Sequence, residues 1–145
     1  RAMVLNPNSF YVLMTSGWAH RYVGEIATAE EHLLRAMRLN PIDPNIGAAR
    51  SGLGRLMHLR GDYEASIELL ERALAEQPGF ISTLLGLVLA CWKTGRNAEA
   101  RRYGEVLRAS VPGLSISDFL QDSPVRATAW RQDVEEALRG VGVPE

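Results

Sequence analysis

Apolar residues along this chain recur at intervals of three and four, the spacing that gathers them on one face of an α-helix. Six segments carry the pattern, near residues 8–23, 26–39, 45–60, 63–76, 80–94 and 97–110, and a glycine or a proline lies between each and the next. Beyond Pro112-Gly113 the rhythm changes. Ser115 or Ser117 is placed to cap a short helix running to Gln121, and Pro124 breaks it. Ala127–Arg139 then reads as a further helix. It gathers Trp130, Val134, Ala137 and Leu138 on one face and Arg131, Gln132, Asp133, Glu135, Glu136 and Arg139 on the others, with Gly140 as its expected stop.

The six segments repeat as three pairs. Pro7 and Pro41 are 34 residues apart, as are Pro78 and Pro112. Pro41 and Pro78 are separated by 37, so three extra residues sit in the loop Ile42–Gly47. With the proline at position 32 of each unit, position 8 is Gly17, Gly54 and Val88, position 20 is Ala29, Ser66 and Ala100, and position 27 is Ala36, Ala73 and Leu107. Small residues at 8 and 20 let the two helices of a unit approach closely. Glycine at position 15 (Gly24, Gly61, Gly95) permits a left-handed turn between them, and proline at 32 ends the second helix. Leu13, Leu84, Leu53, Leu87, Leu33 and Leu70 fill larger core positions.

The run Gly61-Asp62-Tyr63-Glu64-Ala65-Ser66-Ile67-Glu68-Leu69-Leu70-Glu71-Arg72-Ala73-Leu74, continuing to Pro78, resembles a tetratricopeptide repeat, whose period is 34 residues. Ala36-Met37-Arg38-Leu39-Asn40-Pro41 resembles the end of another. The resemblance covers residues 1–112 and implies an all-α, right-handed superhelix of antiparallel helix pairs. Arg50, His20 and Gly104 depart from the pattern at positions 4, 11 and 24. The organisation that follows is a remnant of an upstream repeat in 1–7, three helix pairs in 8–112, and a capping segment in 113–145. A stacked array needs a terminal element with a polar outer face, and the helix from Ala127 suits that role. Ala2 falls at position 27 of an upstream unit, so the chain is expected to be part of a longer protein. The tail through Leu138-Arg139-Gly140-Val141-Gly142-Val143-Pro144-Glu145 resembles the carboxyl end of some bacterial class III adenylate or guanylate cyclases, in which a tetratricopeptide region follows the catalytic domain. That resemblance implies a signalling parent protein whose catalytic residues lie elsewhere.

Composition narrows the function. The 145 residues fit one domain; 46% are hydrophobic and 23% charged, as in a globular protein. Sixteen basic against seventeen acidic residues give a net charge of −1, without the basic excess of a nucleic-acid binder. Phe80–Trp92 is the longest mostly apolar run and is too short to span a bilayer. No secretory signal is visible, so a cytoplasmic location is expected. One cysteine excludes an internal disulfide.

No catalytic constellation stands out. His20, His32 and His58 have no partners at metal-ligand spacing; His20 reads as a core-edge residue and His32 as a solvated one. Cys91 is at an inward position and reads as an inert buried thiol. Ser51-Gly52-Leu53-Gly54 lacks the strand and the third glycine of a dinucleotide loop. Glu30-Glu31 and Glu135-Glu136 read as solvated charges. The fold needs no metal or cofactor, and an enzyme is not expected.

The concave face is the better candidate site, because such solenoids bind along it. Positions 2, 5, 9, 12 and 13 of the first helices face inward. They select Tyr11, Met14, Trp18, Arg21 and Tyr22, then Ala48, Ser51, Arg55, His58 and Leu59, then Ser82, Leu85, Leu89, Trp92 and Lys93. This set is rich in aromatics, holds three cations, and has no carboxylate. Trp, Tyr and Arg are frequent binding hot spots, although Met14 and Leu89 are core-type residues and Trp18, Tyr22 and Trp92 can equally pack against neighbouring helices. The expected function is a protein-interaction scaffold that binds a protein or peptide, an acidic one with apolar anchors fitting best. The alternatives are a self-association module, using an open amino-terminal end with Ala2, Val4, Leu5 and Phe10, and a sensor for a small anion at Arg21, Arg55 and Lys93.

Overall fold

The computed structural model describes residues 9–145, and the expectations for the remnant repeat and for Ala2, Val4 and Leu5 lie outside these residues. Every element among the described residues is helical: α1 (Phe10–Tyr22), α2 (Ile26–Leu39), α3 (Ile46–Leu59), α4 (Tyr63–Glu76), α5 (Ile81–Lys93), α6 (Asn97–Ser110), α7 (Ile116–Asp122) and α8 (Thr128–Gly140). Helices α2, α4 and α6 have the bounds read from the sequence, and α1, α3 and α5 differ by a residue or two at their ends.

Each pair packs antiparallel, α1 on α2, α3 on α4 and α5 on α6, and the pairs stack through α2 on α3 and α4 on α5. The turns have the left-handed glycines that the period required, with φ of 82° at Gly24, 81° at Gly61 and 76° at Gly95. Ser9 caps α1 by accepting from the Val12 N–H, and Asp62 caps α4 by accepting from that of Ala65. The close approaches also fall where the small residues stand. A Cβ on Gly17 would come 2.5 Å from Leu33 Cγ, and one on Gly54 2.6 Å from Leu70 Cγ. Ser66 at position 20 is fully buried and donates its hydroxyl proton to the Gly54 carbonyl at 2.7 Å, which satisfies it.

The departures from the repeat pattern have local compensations. Arg50 makes a two-bonded ion pair with Glu76, at 2.7 and 3.1 Å. His20 and His32 meet edge to face at 5.1 Å, each with its Nδ1 near the Ser16 hydroxyl, so His32 is half-buried rather than solvated. Phe10 is buried rather than presented at an open end.

The tail is more closely built into the molecule than a cap alone. Ser115, not Ser117, caps α7. Helix α8 packs on α5 with the four apolar residues expected, Trp130, Val134, Ala137 and Leu138, all buried. Gly140 does not stop this helix but is its last residue, and the Trp92 ring occupies the space a Cβ there would need. The chain turns instead at Gly142, φ 89°. Val141 then fills the gap over Gly104, which accounts for the small residue at that position. The Pro144 carbonyl accepts from the Ile116 N–H at 2.8 Å, tying the carboxyl end to α7. No described helix is long and apolar enough to cross a membrane.

Candidate functional site

The inner helices α1, α3 and α5 hold every inward position named from the sequence, but most of these positions are covered, by neighbouring repeat helices and, on α5, by α8. Ser51 is fully buried and accepts a bond from Thr83 Oγ1 at 3.0 Å. Ala48, Leu85 and Leu89 are core residues. Met14 and Leu59 are half-buried against the core. Trp18 packs edge-on against Phe80 at 5.7 Å and donates its indole N–H to the Ala48 carbonyl at 3.1 Å. Trp92 is half-buried under Gly140. Lys93 Nζ lies 3.2 Å from both carboxylate oxygens of Asp133. The expected single cationic row is therefore divided: Lys93 is neutralised by α8, whereas Arg21 and Arg55 are not. Tyr11 and Tyr22 remain exposed.

Arg21, Tyr22 and Arg55 come together in one cavity of about 280 Å³. Ile81, Ser82 and Leu85 line it from α5, and Phe119, Asp122, Ser123, Pro124, Val125 and Trp130 line it from the tail. Both arginines are buried, at 4% exposure each. Arg55 Nη1 donates to the Ser82 carbonyl at 3.0 Å and to Ser82 Oγ at 2.7 Å, while its Cδ fills the space above Gly86. Arg21 lies over the rings of Trp18 and Tyr22, 5.3 and 5.0 Å from their centroids, which gives it cation–π stabilisation. Its Nε is buried and has no hydrogen-bond partner among the described residues. No Asp or Glu oxygen in those residues lies within 4.0 Å of either guanidinium. Burial pulls the pKa of both down, and Arg55 is lowered further by the neighbouring Arg21 charge. Arginine nonetheless keeps its proton, so the cavity has two like charges on its floor. A second hollow, of about 350 Å³, adjoins it and shares Arg21, Tyr22, Val125 and Trp130.

His58 sits at the edge of this charge. It packs against the Tyr63 ring at 5.0 Å, and its Nδ1 is buried with no partner among the described residues. Burial, and after it the Arg55 charge, lower its pKa to about 4, against a smaller opposing pull from Asp133. A depressed pKa means that the folded state favours the neutral ring. The stabilisation is therefore complete above the unfolded value of about 6.5 and is lost as pH falls toward 4. At about 1.4 kcal/mol per pH unit, this loss is at most about 3 kcal/mol. Urea unfolding at pH 7.0 and 4.5 should show a smaller acid loss in His58→Phe than in the native chain. Equal losses would mean that His58 charges in the folded state at little cost.

Nothing else in the described residues forms a reactive centre. Cys91 is fully buried and its thiol is pushed up to about 11, chiefly by burial, so it is protonated at neutral pH. No group of three or more His, Cys, Asp or Glu side chains is placed to hold a metal ion. The sequence reading missed the contribution of the tail to the site: Phe119, Asp122, Val125 and Trp130 are on the far wall. Asp122, solvent-exposed, adds to the lining a carboxylate that the inward positions of the inner helices lack.

Two family models, each described as Tetratricopeptide repeat, match residues 14–79 and 57–113 and together span more than half of the chain. Among solved structures, the chain resembles the crystal structure of PilW, described as a widely conserved type IV pilus biogenesis factor, with a TM-score of 0.67 and 20% identity. The match takes in 94% of this chain but only 60% of that one. No curated protein is a significant match. The described residues, 9–145, form three helical repeats followed by a helical tail, and no catalytic domain is seen among them.

Proposed function

Because the chain belongs to the tetratricopeptide-repeat family, we propose that it is a protein-interaction scaffold and that its partner enters the concave face at the Arg21–Tyr22–Arg55 cavity. The observation that carries this reading is that cavity: among the described residues, its two cations remain without carboxylate partners, and an aromatic side chain, Tyr22, stays exposed beside them. An acidic partner segment with an apolar anchor fits both walls. Electrostatic complementarity of this kind favours encounter and register.

Photo-crosslinking tests the reading. Benzoylphenylalanine placed at the position of Tyr22 should capture one discrete protein in the native host. The same group placed at Arg72, exposed on the outer helix α4, should not. Equal capture from both positions, or none from the first, overturns the concave-face reading. A second reading, that the module regulates a nucleotide cyclase, rests on the wording of the tail. It fails if immunocapture of the native protein yields no peptides of a cyclase domain in the same chain.

A further inference from the structure

We infer that the cavity closed by residues 119–130 binds an organic carboxylate with an apolar body, its head between Arg21 and Arg55. The inference rests on the proposal above only in placing recognition at this cavity. Buried charges in folded proteins are paired, because an isolated ion loses its hydration without recompense. Here two adjacent cations, each 4% exposed, have no counter-charge within 4.0 Å among the described residues. The tail carboxylate at this cavity, Asp122, is solvent-exposed. Donors are also available. Arg21 Nε is buried without a partner, and Arg55 uses only Nη1 in bonds to protein atoms. A guanidinium fork is matched to a carboxylate in shape as well as charge.

The opposite wall sets the rest of the ligand. Phe119, Val125 and Trp130 make it apolar, Leu85 of α5 adds to the apolar lining, and a volume of about 280 Å³ is far more than a water or a bare inorganic anion fills. A cationic floor beneath an apolar wall selects an amphipathic anion. Two sources present the same chemistry: a free organic acid, and the acidic side chain of a bound partner flanked by apolar residues.

Calorimetric titration of the full chain with 4-phenylbutyrate and with its neutral amide tests the assignment. The acid should bind and raise the Tm, the amide should do neither, and inorganic phosphate should bind more weakly than the acid. Arg21→Gln should weaken binding of the acid by about ten- to a hundredfold. It should also raise the Tm of the unliganded chain, because it removes an unpaired buried charge; a merely structural arginine would not give that gain. Should Arg21→Gln fail to fold, the acid-against-amide comparison on the native chain decides alone. Binding of acetyl-Phe-Glu-Leu-amide but not of its Gln analogue, with no binding of phenylbutyrate, supports the site and assigns its anion to a partner's side chain. If neither carboxylate is preferred to its neutral counterpart, the inference is overturned. Discrete crosslinking from position 22 would in that case leave the scaffold reading standing.

Discussion

Leu70→Ala is expected to destabilise the chain by about 3–5 kcal/mol, a large share of the roughly 5–15 kcal/mol that holds a domain of this size together. Leu70 is fully buried on α4 and serves three helices at once. Its Cγ fills the space above Gly54 on α3, and its Cδ1 lies 2.8 Å from where a Cβ on Gly86 of α5 would stand. Truncation therefore opens a cavity at the junction of α3, α4 and α5, in a position where α3 and α4, already close at Gly54 and Ser66, cannot move closer to fill it. The same geometry predicts the sign of a double-mutant cycle. Gly54→Ala alone should cost about 1–3 kcal/mol, because its new methyl meets Leu70 Cγ at 2.6 Å. In the Leu70→Ala background that methyl enters vacated space, so the two changes together should cost less than their sum by about 1 kcal/mol or more. Urea unfolding of the four proteins measures the cycle. A loss below about 1 kcal/mol for Leu70→Ala would mean that this junction is loosely packed.

Gly54 and Leu70 at that junction were legible in the sequence because a repeat states its packing rule several times, whereas Gly86, at no repeated small position, was not. Gly17 and Gly54 at one phase, Ala29 and Ser66 at another, and Gly24, Gly61 and Gly95 at a third fix where helices touch and where they turn, whatever occupies the other positions. Inward-facing residues were legible for the same reason, since position in the repeat determines direction. What covers them was not. Lys93 meets Asp133 across forty residues of sequence, Trp92 meets Gly140, and Gly104 meets Val141. None of these contacts has a period or a local motif, and each joins a repeat to a tail that stands outside the array. Gly140 shows how such a contact misleads. A glycine ending an amphipathic helix ordinarily marks a left-handed cap, but here the small residue is required because an indole ring occupies its side-chain space. Gly104 is the converse case: an apparent defect in the third repeat is the seat for a valine of the tail. The cavity was half legible, in that the repeat positions supplied its cationic floor while its apolar wall came from residues read only as a cap.

That wall makes Trp130→Ala the second large effect. Trp130 is buried to 8% exposure, tilts against Phe119 at 6.4 Å between ring centroids, and lines both cavities beside Arg21 and Tyr22. Its truncation should cost about 3–5 kcal/mol, but the loss should fall on one segment first. Helix α8 has thirteen residues, too few to persist alone in water. Its remaining polar tie to α5, the Lys93–Asp133 pair, is surface-exposed and contributes about 1 kcal/mol or less. The helix should therefore detach and melt while α1–α4 keep their fold, as a locally unstable unit does. Hydrogen exchange should show α8 amides losing protection ahead of those in α3 and α4. Fluorescence gives a second reading, because the two remaining tryptophans report on different places. Trp18 stays against Phe80, whereas Trp92 loses Gly140 from its face and should shift its emission to longer wavelength. Detachment also uncovers Arg21 and Arg55, so binding of phenylbutyrate should weaken, through loss of the apolar wall, even though its cationic floor is intact. Unchanged α8 protection and emission would show that the tail is pinned by Val134, Ala137 and Leu138 without Trp130. The cavity wall would then be free to vary without cost to the fold.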